Sequence, residues 1–235
     1  MVQPTTYLDF WDWKGLSTWD KWSLTHNLLV LILVAAYFFS QQKEGLLLGI
    51  LLFFLPFLYQ LSKQRPSEKL WTYANGISFF RLGLLLFFGF FPTYFSTTYN
   101  FMLIGTAIFL DGLDGWLARK MNQETRLGAF LDLKIDAFLV LLLSLHWVEA
   151  EKTFSLFWLL GCLHYGYEWF LFLINKYLVK TRRNPIGKYA AAFLFISLLT
   201  PFLLPQTISY PILVAAFGST FVSFGISLGM KIKVF

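Results

Sequence analysis

Long apolar stretches separated by short polar clusters run through almost the whole chain. A helix needs roughly 20 mostly apolar residues to cross a bilayer, and fewer where the span is thin or tilted. On that criterion the pattern predicts spans near 27–42, 45–62, 72–92, 98–118, 127–148, 153–175, 187–204 and 208–229. Ahead of them, residues 7–24 mix Trp11, Trp13, Trp19 and Trp22 with Asp12, Lys14, Asp20 and Lys21, which suits a segment lying in the membrane interface. The expected fold class is all-α, a polytopic membrane helix bundle. The polar stretch Ser62 to Lys69 divides it into residues 1–66, with the interfacial segment and a helix pair, and residues 67–235, with six helices.

Composition supports this pattern. Of 235 residues, 57% are hydrophobic and only 14% charged, against about 25% charged in a soluble domain, so too little polar surface is available to cover a water-facing globule. The single cysteine, Cys162, lies in an apolar run and rules out an intramolecular disulfide or a cysteine-based metal site. The first residues lack the basic start, apolar run and cleavage site of a signal peptide.

A net charge of +6 would raise the question of nucleic acid in a soluble protein; in a membrane protein it reports topology first, and no nucleic-acid partner is expected. Eight spans put both ends on one side. On that side fall Lys14, Lys21, Lys63, Arg65, Lys69, Arg119, Lys120, Arg126, Lys176, Lys180, Arg182, Arg183, Lys188, Lys231 and Lys233, while the opposite loops hold Lys43 and Lys152. The basic side, with both termini, is expected in the cytoplasm.

Charges inside spans are costly and mark function by default. Four aspartates gather at the basic ends of two successive spans, in Asp111-Gly-Leu-Asp114-Gly115-Trp-Leu-Ala118-Arg119 and in Gly128-Ala-Phe-Leu-Asp132-Leu-Lys-Ile-Asp136. At about 100° per residue, Asp111, Asp114, Gly115 and Ala118 share one helix face, and Asp132 and Asp136 stack on another. The short connection makes the two helices antiparallel neighbours whose carboxylates can meet. Converging carboxylates in low dielectric repel, and divalent cations relieve that repulsion; an all-oxygen set suits Mg²⁺ or Mn²⁺. Gly115, Ala118 and Gly128 leave room beside them, and Arg119 is a cation for a phosphate oxygen.

The pattern D-x2-D-G-x2-A-R-x8-G-x3-D-x3-D over 111–136 resembles the signature of the CDP-alcohol phosphotransferase family. Asn75-Gly-Ile-Ser78-Phe-Phe-Arg81 resembles that family's P-N-x-x-T-x-x-R stretch, with Ala74 for Pro and Ser78 for Thr. The resemblance implies a six-helix catalytic core, a homodimer, and displacement of CMP from a CDP-activated donor by an alcohol hydroxyl. It implies that Asp111, Asp114 and Asp132 bind two metal ions and, through them, the diphosphate. Asp136 would complete the second metal site and take the hydroxyl proton. Gly115, Ala118, Arg119 and Gly128 would bound the CDP pocket, with Asn75 and Ser78 approaching from the first core helix.

The stretch 176–188 contains Arg183 and Gly187-Lys188, similar to a family Gly-Lys, so Arg183 and Lys188 are candidates for a phosphate on the acceptor. That favours CDP-diacylglycerol as donor and a phosphorylated alcohol as acceptor. A CDP-alcohol donor with a lipid acceptor, or a transporter holding a cation on its carboxylates, are the alternatives. Glu168 and His164, one turn apart within a span, read first as structural, with Glu168 paired to His164 or a lysine, and second as a site for acceptor hydroxyls or an ammonium group. Lys134 points away from the aspartate face and reads as a snorkelling surface lysine; His26 and His146 read as interfacial.

Overall fold

Helix ends are set by local caps. Thr72 Oγ1 accepts from the Asn75 N–H at 3.1 Å, Ser96 Oγ from the Tyr99 N–H at 3.3 Å, and Asn184 Oδ1 from the Ile186 N–H at 3.0 Å. Thr125 Oγ1 likewise takes the Gly128 N–H at 2.9 Å. Two asparagines in the left-handed region close helices at the other end: Asn122 (φ 52°) and Asn175 (φ 56°). Beyond them the Gln123 N–H returns to the Ala118 carbonyl (2.9 Å) and the Lys176 N–H to that of Leu171 (2.8 Å), the Schellman pattern.

The computed structural model describes residues 16–40, 42, 44–50, 72–150, 156–178 and 184–232. Between the caps lie α1 (Thr18–Ser40), a helical stretch 44–50 (α2), α3 (Tyr73–Phe90), α4 (Thr97–Lys120), α5 (Arg126–Ala150), α6 (Trp158–Leu173), α7 (Pro185–Leu203) and α8 (Gln206–Ile232). No strand occurs among the described residues. Helices α1, α3, α4, α7 and α8 are each long and apolar enough to cross a membrane, and the chain folds as a polytopic membrane helix bundle.

At the centre is α5. Its Leu127, Leu131, Ile135, Phe138, Leu142 and Leu145, spaced three and four apart along one stripe, are all buried. It packs against α3, α6 and α7, while α3 also packs on α4, α7 on α8, and α1 on α6. Successive helices from α3 onward alternate in direction, so the starts of α1, α3, α5 and α7 and the ends of α4, α6 and α8 gather at one end of the bundle. Bonds between Ser78 and Asp114, Ser23 and Glu168, Asn184 and Ser227, and Lys231 and the Lys176 carbonyl mark that end. Apart from Arg81 and Lys134, inside α3 and α5, every described lysine and arginine lies there. At the far end His146 is packed among Phe88, Trp147 and Phe202 at centroid distances of 4.8–5.8 Å, an aromatic cluster.

Helix α1 starts at Thr18, well before the expected span at 27, so residues 18–24 belong to a helix and not to an interfacial segment. The reason is tertiary: Leu24 is fully buried, and the Trp169 indole N–H on α6 donates to its carbonyl at 2.8 Å. The rest of the interfacial segment, residues 7–15, and positions 51–62 of the expected second span lie outside the described residues.

The crossing of α5 and α6 depends on Gly161. A Cβ there would stand 2.7 Å from the Leu141 Cα, a backbone atom that cannot turn aside. Gly161→Ala should therefore separate the two helices and cost about 1–3 kcal/mol, read as a lowered Tm in detergent. Gly166→Ala on the same helix, where a Cβ meets nothing within 4 Å, should be neutral or stabilising.

Candidate active site

Three helices bring their polar residues together at the gathered end. On α3, Asn75, Ser78 and Arg81 recur every third residue along one side, and all three are buried. Asp111 and Asp114 come from the last turns of α4, and Asp132 and Asp136 from the first half of α5. The Ser78 hydroxyl donates to Asp114 Oδ2 at 2.9 Å.

Arg81 organises the four carboxylates. Its Nη1 lies 2.6 Å from Asp111 Oδ1, 3.4 Å from Asp114 Oδ2 and 3.2 Å from Asp132 Oδ1, and its Nη2 lies 2.9 Å from Asp136 Oδ1. The remaining donor, Nε, is directed to the Ala107 carbonyl on α4 at 3.1 Å. The guanidinium is 1% exposed, while Asp111, Asp132 and Asp136 remain 33%, 49% and 29% exposed, so the carboxylates face an opening and the cation backs them. The family-like stretch 75–81 contains Arg81 but does not by itself give it a role. The signal was present, because Arg81 is the one charged residue in the 18-residue α3, and a lone intramembrane charge needs partners.

Ionised, the four carboxylates against one guanidinium leave three formal negative charges (four minus one). Asp111, Asp114 and Asp132 each offer an oxygen within 4.8 Å of the others. A compact all-oxygen donor set with excess negative charge fits a hard divalent ion such as Mg²⁺ or Mn²⁺. Asp136 stands outside that trio, on the other nitrogen of Arg81.

The carboxylates meet in a way that differs from the expected direct packing of α4 on α5. Those two helices barely touch; α3 lies against both, and a cavity of about 380 Å³ opens between them. Asn75 and Ser78 of α3, Asp114, Gly115, Ala118 and Arg119 of α4, and Gly128 and Asp132 of α5 all line it. Small residues keep it open: a Cβ on Gly128 would stand 2.8 Å from Asn75 Oδ1. The Arg119 guanidinium lies back over Gly115, its Nη1 3.5 Å from where a Cβ there would be. Glu124 and Thr125, in the α4–α5 connection, complete the wall and were not anticipated. Thr125 is the α5 cap, and its hydroxyl also reaches Asn75 Oδ1 at 3.4 Å.

A second cavity of about 300 Å³ runs among α5, α6, α7 and α8, and Asp136 borders it. Its walls are mostly apolar, with His164, Tyr167, Thr220, Ser223 and Ser227 as polar groups. The Tyr167 hydroxyl there has no hydrogen-bond partner among the described residues. Gly187 lines this cavity, whereas Lys188 is exposed on α7; Arg183 lies outside the described residues.

Three other expectations are corrected or refined. Lys134 does point away from the aspartates, but it is fully buried and not a surface lysine, with Nζ 2.8 Å from Asn27 Oδ1 and 3.2 Å from Glu168 Oε2. His26 is buried in the protein, stacked on Trp22 at 4.9 Å. Glu168 pairs with a lysine, Lys134, at 3.2 Å, while the His164 Nε2 stands 3.4 Å from its other oxygen without a hydrogen bond to it.

Comparison with known proteins gives a consistent result. The chain is 45% identical over 60 residues to a CDP-diacylglycerol–glycerol-3-phosphate 3-phosphatidyltransferase of Haemophilus influenzae, covering 26% of this chain and 31% of that one. It is 32% identical over 123 residues to a protein of the same description from Aquifex aeolicus, covering 50% and 66%. The chain thus spans less than two thirds of either relative. No solved structure matches it. The CDP-alcohol phosphatidyltransferase family model matches residues 71–224, the segment that supplies all four aspartates, Arg81, the first cavity and all of the second but Ser227, and the chain belongs to that family.

Proposed function

We propose that this protein transfers a phosphatidyl group from CDP-diacylglycerol to a hydroxyl of glycerol 3-phosphate and releases CMP. One observation carries the reading: Arg81 holds Asp136 on one nitrogen and the other three carboxylates on the next, with a polar cavity on the trio's side and a largely apolar one beginning at Asp136. That arrangement separates a nucleotide site from an acceptor and lipid site across a single carboxylate. The names of the two relatives supply the donor and acceptor.

In this reading the cytidine diphosphate occupies the polar cavity. Arg119 holds a phosphate oxygen there, and Asn75, Ser78 and the small faces of Gly115, Ala118 and Gly128 shape the walls. The acceptor approaches from the second cavity, its phosphate held by Arg183 and Lys188. Its hydroxyl oxygen attacks the phosphorus that carries the diacylglycerol and gives its proton to an Asp136 carboxylate oxygen. The bond from that phosphorus to the oxygen shared with CMP breaks, and CMP leaves. Asp111, Asp114 and Asp132 would hold a divalent ion, and Asp136 would complete a second site beside it. Such ions supply charge neutralisation for the diphosphate and the leaving group. Arg81 fixes the four carboxylates before either substrate arrives, so little reorganisation is left for the reaction itself. The basic end of the bundle, with the site, is assigned to the cytoplasmic face, and two copies are expected to associate, as in the family.

The deciding assay is CMP release by purified protein with Mg²⁺ or Mn²⁺, CDP-diacylglycerol and glycerol 3-phosphate. Acceptor-dependent release is expected, and Asp136→Asn should lower it by about 100-fold or more. Release that requires a CDP-alcohol donor and diacylglycerol would replace this donor assignment, and silence with every pair would sink the enzyme reading.

Two further outcomes are expected. Arg81→Lys keeps the charge but offers one nitrogen where two are used, so kcat should fall about 10- to 100-fold, in line with a misplacement near 1 Å. Mn²⁺ at about 100 times its Kd should stabilise the wild type by about 2.7 kcal/mol, seen as a raised Tm, and Asp114→Asn should largely abolish that rise.

A further inference from the structure

Helix α5 carries two opposed polar faces. Gly128, Asp132 and Asp136 follow one another at intervals of four and look toward Arg81 and the two cavities. Phe130 and Lys134 are also four apart but displaced by two residues, about 200° around the axis, and look toward α1 and α6. On that second face the Lys134 ammonium is fully buried and donates to Asn27 Oδ1 at 2.8 Å and Glu168 Oε2 at 3.2 Å. The Asn27 amide N–H donates to the same Glu168 oxygen at 2.6 Å, and the Ser23 hydroxyl at 2.8 Å. Trp19 and Trp22 meet Phe130 edge to face at 5.3 and 5.0 Å. Farther along, the Tyr37 hydroxyl donates to Glu149 Oε1 at 2.6 Å. Ser23, Asn27 and Tyr37 all belong to α1, which lies outside residues 71–224 matched by the family model.

We propose that α1 is a positioning element of the active site, in which Asn27, together with Glu168, clamps Lys134 and thereby fixes the rotation of the α5 turn that carries Asp132 and Asp136. A carboxylate oxygen stands about 5–6 Å from its helix axis, so a roll of roughly 10° carries it about 1 Å. A displacement of that size costs about 100-fold in rate where geometry governs catalysis. Arg81 holds α5 from one face only, through Asp132 and Asp136, while its other contacts go to Asp111, Asp114 and the Ala107 carbonyl of α4. The buried lysine holds the opposite face, because leaving its ammonium or the Glu168 carboxylate unpaired in an apolar interior costs several kcal/mol. Lys134, Asn27 and Glu168 touch no reacting atom; they act through the aspartates.

The proposal rests on the transferase reading above, so its test carries a readout independent of turnover. Asn27→Leu in the full chain removes the clamp while keeping side-chain volume. Expected are a kcat for CMP release lowered about 10- to 100-fold, KM values for both substrates within about threefold, and an Mn²⁺ Kd, measured by electron paramagnetic resonance, raised about tenfold. Tyr37→Phe, which cuts the tie remote from the carboxylates, should lower Tm yet leave kcat and Mn²⁺ affinity unchanged. Should Asn27→Leu fail to accumulate as folded protein, Asn27→Ser, which keeps a hydroxyl acceptor near Lys134, takes its place with the same expectations in reduced size. A variant that loses Tm but keeps wild-type kcat per folded molecule and wild-type Mn²⁺ affinity would make α1 a stabilising strut and overturn the proposal. If the wild type releases no CMP, the transferase reading fails and Mn²⁺ affinity alone decides; if neither protein binds Mn²⁺, both readings fall.

Discussion

Four carboxylates cannot share a small volume of low dielectric without a cation, and much of this bundle is arranged around that constraint. Arg81 meets the requirement from the back of the site: one guanidinium reaches all four aspartates and a helix carbonyl. Arginine is suited to the task because its planar fork presents separate nitrogens in fixed directions, whereas an ammonium is a point charge on a flexible stem. The remaining negative charge faces the opening, where divalent ions and a diphosphate would meet it.

The same logic explains why small residues matter as much as charged ones. Gly115 and Ala118 on α4 and Gly128 on α5 hold open the space between two helices that barely touch, while α3 joins them through Asn75, Ser78 and Arg81. Elsewhere glycine does the reverse and closes the gap, as at Gly161 against the Leu141 backbone. One residue type produces a cavity or a tight crossing according to what lies opposite, and the chain uses both within the two faces of α5.

Helix α5 is also where the matched domain and the added N-terminal helix meet. Its aspartate face is held by α3 and its lysine face by α1 and α6. Buried ion pairs are weak evidence for stability, since their desolvation offsets much of their attraction. They are better understood as fixing one arrangement among several, and here the arrangement fixed is the rotation of the helix that carries half the carboxylates.

The sequence by itself determined the helical membrane architecture, because apolar runs of spanning length in a chain so poor in charge admit little else. It also determined the carboxylate site, because charged residues within such runs are costly and their spacing puts them on defined helix faces. Asn75, Ser78, Gly115, Ala118, Arg119 and Gly128, which the family resemblance put at one pocket, line one cavity. Only the tertiary structure decided what depends on contacts between distant segments. Periodicity places Lys134 opposite the aspartates but cannot say whether lipid or another helix lies there; Asn27, 107 residues earlier, answers that. The early start of α1, the burial of His26 and the central place of Arg81 are of the same kind. Each is settled by a partner far along the chain, and local pattern carries no information about which partner that will be.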